Sequence, residues 1–256
     1  MKSSIKLKIL GSVSPYPTKN DNCPGYLISA NDKKLLLDCG NGSIKEMDLP
    51  NDLINLNVFI SHFHKDHYSD LNALAYASYV YHNLGILKEK IKVYIPKVKI
   101  DDLEYIDYLL IKNNKEQYFE FVEYDEESVF DIDNYKISFM KNYHPISTYS
   151  TKIETNQFKF VYTSDLGPKS KDDIVNFAHN ANYLLIESSL LIEDGVLNEY
   201  HLRTYEAANI ANEANVNNLI LTHFWPETKK EKYLKEAKKS LNNVLIAKTG
   251  DKFKLK

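Results

Sequence analysis

The sequence predicts an α/β fold in which sheets are covered by helices, and three observations predict it. Short runs rich in β-branched and aromatic residues recur in both halves of the chain. Helix-length amphipathic stretches are interspersed among them, and the last quarter alternates helix, strand, helix and strand. The 256 residues can bury a full core, and 43% hydrophobic with 26% charged residues is ordinary for a globular chain. No internal repeat, Pro- or Gly-rich linker or low-complexity tract interrupts it, so one domain spanning residues 1–256 is expected.

Period-2 alternation opens the chain: Ile5, Leu7 and Ile9 share one face, lysines lie between them, and Gly11 ends the run. Strands follow in GYLIS and KKLLLDCG, joined by the turn-forming pair Asn31-Asp32. The apolar run at 57–61 (NVFIS) predicts a short strand that feeds directly into a histidine cluster. A helix is expected over 71–83, where Leu71, Leu74, Ala75 and Ser78 fall at helical spacing, and a strand over 92–95, stopped by Pro96. In the middle, FEFVEY, YKISFMKNYH, TKIETNQFKFVYTSD and ANYLLIESSL are all strand-forming. The end reads as a helix over 204–214, a strand over 219–222, a helix over 228–241 and a strand over 243–248.

Composition excludes several classes. No stretch approaches the roughly 18 apolar residues of a membrane helix. The opening MKSSIKLKIL has neither a long apolar core nor a small-residue cleavage site, and reads as a first strand instead of a signal peptide. Two cysteines, Cys23 and Cys39, are too few for a disulfide scaffold, and both are expected as reduced thiols of a cytoplasmic protein. Cys39 follows an apolar run and is expected to be buried, with metal ligation as the alternative. A net charge of −3 lacks the basic footprint of a nucleic-acid binder. The charge is uneven: ten lysines against four acids between positions 226 and 256 make that tail +6 and leave −9 on the rest.

The strongest chemical signal is His62-Phe63-His64-Lys65-Asp66-His67. Neutral imidazole nitrogen and carboxylate oxygen are the usual ligands of zinc and similar divalent ions. Four such side chains in six residues, just after an apolar strand, form a dense set on a loop, where His62 and His64 can reach one ion while Asp66 and His67 reach a second. The competing reading is a solvated polar turn. His144, Asp165 and His223 each follow a strand-forming run, and His201 precedes a helix. A lone histidine at a strand end is more often structural than ligating; four such residues at one sheet edge suit a common site better. His82 and His179 have no motif around them and are expected to be ordinary surface or core residues.

The order HxHxDH, then His, then Asp, then His resembles the signature of metallo-β-lactamase-fold hydrolases. HLRTYEAANIANEANVNNLILTHFWP is similar to the C-terminal motif block of ribonuclease Z and its relatives, and GSVSPYPTKNDNCPGYLIS with KKLLLDCGNG resembles the start of that branch. The resemblance implies a four-layer αββα sandwich, two mixed β-sheets flanked by helices. It implies two divalent metal ions, zinc foremost with manganese and iron as alternatives. His62, His64 and His144 would hold one, Asp66, His67 and His223 the other, with Asp165 bridging. Such ions activate a bridging water for attack on phosphorus or carbonyl and neutralise charge on the attacked oxygens. Asp66, His201 and Glu187 are then the residues on which catalysis rests. His201, in HLRT, is the candidate to protonate the leaving group, and Glu187, in LLIESSL, the candidate to orient it. A helix N-terminal histidine without a catalytic part is the other reading of His201. Asp38 matches an early family aspartate that steadies the histidine loop; a structural buried aspartate is its other reading.

Two departures from ribonuclease Z bear on the substrate. Ile186 stands where that enzyme has a histidine, and the 21 positions from His144 to Asp165 are used up by a turn and two strands, leaving no room for its tRNA-gripping arm. The preferred expectation is hydrolysis of a small, cyclic phosphodiester by a cytoplasmic enzyme with no membrane partner, and a homodimer by analogy. The alternatives are tRNA 3′ processing, an acyl hydrolase acting on a lactone or thioester, and a non-enzymatic metal-binding module. Trp225 either stacks on a base or packs in the core, and the lysines at 229, 230, 232, 235, 238 and 239 form either a solvated face or a phosphate-attracting patch.

Overall fold

A computed structural model of the chain describes residues 5–115, 117–195 and 198–255; residues 1–4 of the opening stretch lie outside the described residues. It divides into two compact units, each built on one seven-stranded sheet. Among the described residues, the first comprises residues 5–12, 16–124 and 248–255; the second comprises residues 13–15 and 125–247.

In the first unit, β1 (Ile5–Gly11), β2 (Gly25–Ala30) and β3 (Lys33–Leu37) form an antiparallel meander. Asn31 takes φ 54°, which lets the two-residue Asn31-Asp32 turn close between β2 and β3. Leu7 and Ile9 are fully buried while Lys6 and Lys8 face away, as the alternation requires. The sheet continues with β4 (Leu56–Phe59), β5 (Ile91–Pro96) and β6 (Phe119–Tyr124), each parallel to its predecessor. Parallel pairs need crossovers. Two short 3-10 turns (Ser43–Glu46 and Asn51–Leu53) lie in the connection before β4, while α1 (Lys65–Tyr68) and α2 (Leu71–Asn83) precede β5 and α3 (Tyr105–Lys115) precedes β6. Leu71, Leu74, Ala75 and Ser78 are the buried face of α2. Helix α3 is absent from the sequence expectation because its apolar residues do not segregate: Tyr108 and Ile111 are buried, but Ile106 and Leu110 are exposed.

The second unit opens with an antiparallel run of β7 (Val129–Ile132), β8 (Tyr135–Lys141), β9 (Tyr149–Thr155) and β10 (Phe158–Tyr162). Three parallel additions follow: α4 (Lys171–Phe177) leads to β11 (Tyr183–Glu187), α5 (Thr204–Glu213) to β12 (Leu219–Thr222), and α6 (Lys230–Ala237) to β13 (Val244–Ile246). Ala207, Ala208, Ile210 and Ala211 of α5 are buried in the same cluster as Leu184, Ile186, Leu219 and Leu221 of β11 and β12. The chain then returns to the first sheet, where β14 (Lys252–Leu255) pairs antiparallel with β1.

Several elements depart from expectation. The helix over 228–241 is shorter: Lys229 is extended at its start, and past Ala237 the bonding mixes in i→i−3 contacts, Lys239 N to Glu236 O and Ser240 N to Ala237 O. The strand over 243–248 shrinks to Val244–Ile246. The short α4 and β14 carry few apolar residues, and β7 is only four residues long, so none of them stands out. Trp225 is 45% exposed, so its core reading is not met. Five of the six lysines from 229 to 239 are exposed, as for a solvated face. Cys23 and Cys39 are both buried, and desolvation pushes both thiols well above the usual range. Among the described residues, no helix is long and apolar enough to cross a membrane.

Candidate metal centre

Strand direction positions the chemistry. In the first sheet β3 and β4 run parallel, so Asp38 and the His62 loop leave the same edge. In the second sheet β8, β10, β11 and β12 share one direction, so the segments bearing His144, Asp165, Glu187 and His223 leave one edge too. The carboxyl ends of such strands are where α/β proteins place their sites.

The first unit brings His62, His64, Asp66 and His67 together around a short helical turn. His62 and His67 are fully buried, with ring centroids 4.1 Å apart, and His62 Nε2 lies 3.0 Å from His64 Nδ1. Asp66 Oδ2 lies 3.6 Å from His67 Nε2. Asp38, wholly buried, supports the turn: it accepts from Ser61 N at 2.7 Å, Ser61 Oγ at 2.9 Å and His67 Nδ1 at 2.7 Å. That last bond makes Nδ1 the protonated nitrogen of His67, which leaves Nε2 its lone pair beside Asp66. Backbone contact adds to the positioning: Cys39 N donates to His67 O at 2.8 Å. A Cβ at Gly40 would sit 1.9 Å from the Asp66 carbonyl oxygen, so only glycine allows this approach.

The second unit gathers His144, Asp165, Glu187, His201 and His223. Asp165 faces two imidazoles with different oxygens: Oδ1 is 2.9 Å from His223 Nε2, and Oδ2 is 3.6 Å from His144 Nε2. His144 Nδ1 lies 3.3 Å from the Tyr200 carbonyl, which can only accept, so its Nε2 carries the lone pair. His223 Nδ1 meets Ser189 Oγ at 2.9 Å. A lone pair held against a carboxylate oxygen is unfavourable unless positive charge lies near both. Buried imidazoles aimed in this way at the two oxygens of one carboxylate fit divalent ions. His201 stands beside this array, with ligand atoms of Asp165, His201 and His223 all within 4.8 Å of one another. Its Nδ1 lies 3.0 Å from Glu187 Oε1, and its ring stacks on His223 at 5.5 Å.

Glu187 is 1% exposed and holds more than His201. Its Oε1 also accepts from Leu166 N at 2.8 Å and its Oε2 from Ser189 Oγ at 2.6 Å, and Ser189 in turn meets His223. Sequence reasoning missed Ser189, whose signal was its place two residues after Glu187 in LLIESSL. It also missed Asn142, a buried amide that donates to the carbonyls of Thr163 and Asp165 at 2.7 and 2.8 Å and so ties two site loops together. Ser61 and the Tyr200 carbonyl are further supports with no sequence signature. Asp38, Ser164 and His223 all adopt positive φ (59°, 55° and 61°), a strained backbone that only the surrounding structure can impose. His82 and His179 take no part in either cluster.

Paired histidine and carboxylate clusters at the ends of parallel strands, on two helix-flanked mixed sheets, define the class: a metal-dependent hydrolase of the metallo-β-lactamase fold. The solved metallo-β-lactamase-fold protein YhfI of Bacillus subtilis superposes with a TM-score of 0.84 at 26% identity, covering 98% of this chain and 99% of that one. Within the class, the chain belongs to the family described as anti-Pycsar protein Apyc1, whose model matches residues 5–244. The probable metallo-hydrolase YhfI of B. subtilis is 27% identical over 249 residues, covering 96% of this chain and 98% of the relative. Ribonuclease Z of Chlamydia trachomatis serovar L2 is 28% identical over 293 aligned positions, covering 94% of each. A diphosphatase of the PhnP family shares the fold, with a TM-score of 0.71 at 14% identity, covering 98% of this chain and 96% of that one.

Proposed function

We propose that this protein is a dinuclear phosphodiesterase acting on a small, cyclic phosphodiester. In this reading His62, His64 and His144 hold one divalent ion, Asp66, His67 and His223 the other, and Asp165 bridges, with zinc the first expectation. The observation that carries it is the Asp165 carboxylate with an imidazole nitrogen at each oxygen, beside a histidine anchored on a buried glutamate. Bound metal would lower the pKa of a coordinated water and offset charge on the attacked phosphate.

The chain's own residues supply the rest. Glu187 engages His201 Nδ1 and so leaves Nε2 as the nitrogen that exchanges a proton. His201 is one-quarter exposed, so this nitrogen can meet a leaving oxygen. An alkoxide leaving phosphorus needs that proton; a strained lactone needs it less, which favours the phosphodiester. The ribonuclease Z relatives favour the second reading, tRNA 3′ processing. Against it, the stretch between His144 and Asp165 is filled by β9, β10 and a two-residue turn, with no room for an arm. A homodimer is proposed by the same analogy.

The test is a substrate panel on purified protein with added zinc or manganese: cyclic nucleotides, bis-p-nitrophenyl phosphate, lactones and precursor tRNA. Cyclic phosphodiesters should be the best substrates. Efficient cleavage at the 3′ end of precursor tRNA, or lactone turnover exceeding that of every phosphodiester, would overturn the proposal.

A further inference from the structure

The first unit holds a cleft that takes no part in the chemistry above. Its volume is about 330 Å³, and its lining includes Lys65, Tyr68, Asn72, Asp107, Leu110 and Lys115. Lys115, the last residue of α3, is 6% exposed, unusual for a lysine. Lysine stems often bury while the charged head reaches a carboxylate or water. Here the carboxylate in the lining, Asp107, is already taken: Lys65 Nζ and Tyr68 OH both donate to its Oδ1, the latter at 2.9 Å. One turn back on α3, Lys112 is likewise committed, to Glu123 at 2.8 Å. Among the described residues, the Lys115 ammonium has no hydrogen-bonded or ion-paired partner. Desolvation alone pulls its pKa below the ordinary lysine value, with no neighbouring charge opposing it.

A buried cation beside an accessible cleft, with no counter-charge of its own, is costly unless something brings one. We propose that this cleft binds a small oxyanion, a phosphate or carboxylate group, with Lys115 as its counter-ion and the Asn72 amide as a neutral donor. The site differs from the metal centre in its residues and needs no metal. Lys65 and Tyr68 join it in sequence to Asp66 and His67 on α1, so an occupant sits on the helix that carries two of the proposed ligands.

The test is thermal unfolding of the full, metal-loaded chain in inorganic phosphate, in acetate, and in chloride at matched ionic strength. The wild type is compared with Lys115→Met and Lys115→Arg. In chloride, Lys115→Met should melt above the wild type, because an unpaired buried charge is removed. At roughly ten times its dissociation constant, phosphate or acetate should raise the wild-type Tm by roughly 3–6 °C. Lys115→Arg should keep that shift and Lys115→Met should lose it; any contribution from anion at the metal centre is common to all three and cancels. Should Lys115→Met fail to fold, Lys115→Gln carries the comparison. The anion that shifts the wild type assigns the ligand as phosphate or carboxylate. Equal shifts in wild type and the methionine or glutamine variant, or no shift with either anion, would overturn the proposal.

Discussion

Replacing Asp38 separates steric support from tautomer control. In Asp38→Asn the shape is kept, and asparagine tolerates the left-handed φ of 59°. Oδ1 still accepts from Ser61 N, but an NH₂ group now faces His67 Nδ1, where the native carboxylate oxygen accepted at 2.7 Å. Two donors cannot share that contact, so the imidazole proton shifts to Nε2, the nitrogen beside Asp66. A ligand in the wrong tautomer, without its carboxylate partner, should lower metal affinity by roughly 10–100-fold. The metal-free protein should lose little stability, because each buried group keeps a partner, with the Ser61 hydroxyl turning its proton from the lost Oδ2 to His62 Nδ1, 3.0 Å away. Asp38→Ala is different in kind. It strands the Ser61 N–H and the His67 Nδ1–H in a fully buried site, at about 1–3 kcal/mol each, or about 2–6 kcal/mol together; at ~2–4 °C per kcal/mol this lowers Tm by roughly 4–24 °C. Calorimetry of metal-free protein reads the second effect and competitive metal titration the first. If Asp38→Asn binds both ions as tightly as wild type, Asp38 does not set the His67 tautomer and the reasoning is refuted.

Elemental analysis of metal-replete protein should find about two divalent ions per chain, and Asp165→Ala should bind fewer and lose turnover, since one carboxylate faces both His144 and His223; an unchanged metal content would remove its bridging role. His201→Ala should slow hydrolysis of a cyclic nucleotide by ~10²–10⁴-fold but that of bis-p-nitrophenyl phosphate far less, because nitrophenolate leaves without a proton. Equal losses on both substrates would make His201 structural or a ligand. Glu187→Gln should follow the same pattern more weakly, with some loss of stability, because its oxygens also hold Leu166 N and Ser189 Oγ. Cys23 and Cys39 should resist thiol reagents in the native protein and react on unfolding, since burial raises both thiols; rapid native labelling of either would contradict that.

The residue types of the candidate centre were legible before any coordinates, because metal chemistry selects imidazole and carboxylate and the HxHxDH spacing packs four of them into one turn. The strands that carry them were equally legible, since β3, β4, β8, β10, β11 and β12 are runs rich in apolar residues that lead into polar ones. The helix α2 was read to its last residue because its buried positions keep strict helical spacing. Where apolar residues point both ways, as in α3, or are too few, as in β14, local pattern fails.

What only the folded chain decided is which atom meets which. Asp38 and His67 are 29 positions apart, and Ser189 and His223 are 34 apart, so no local period relates them. The tautomers of His67 and His144, the two-sided approach to Asp165 and the strained φ of Asp38, Ser164 and His223 arise from long-range packing. Ligand chemistry is a property of side-chain type and survives in the sequence; orientation is a property of non-local hydrogen bonds, which exist only once the strands have paired.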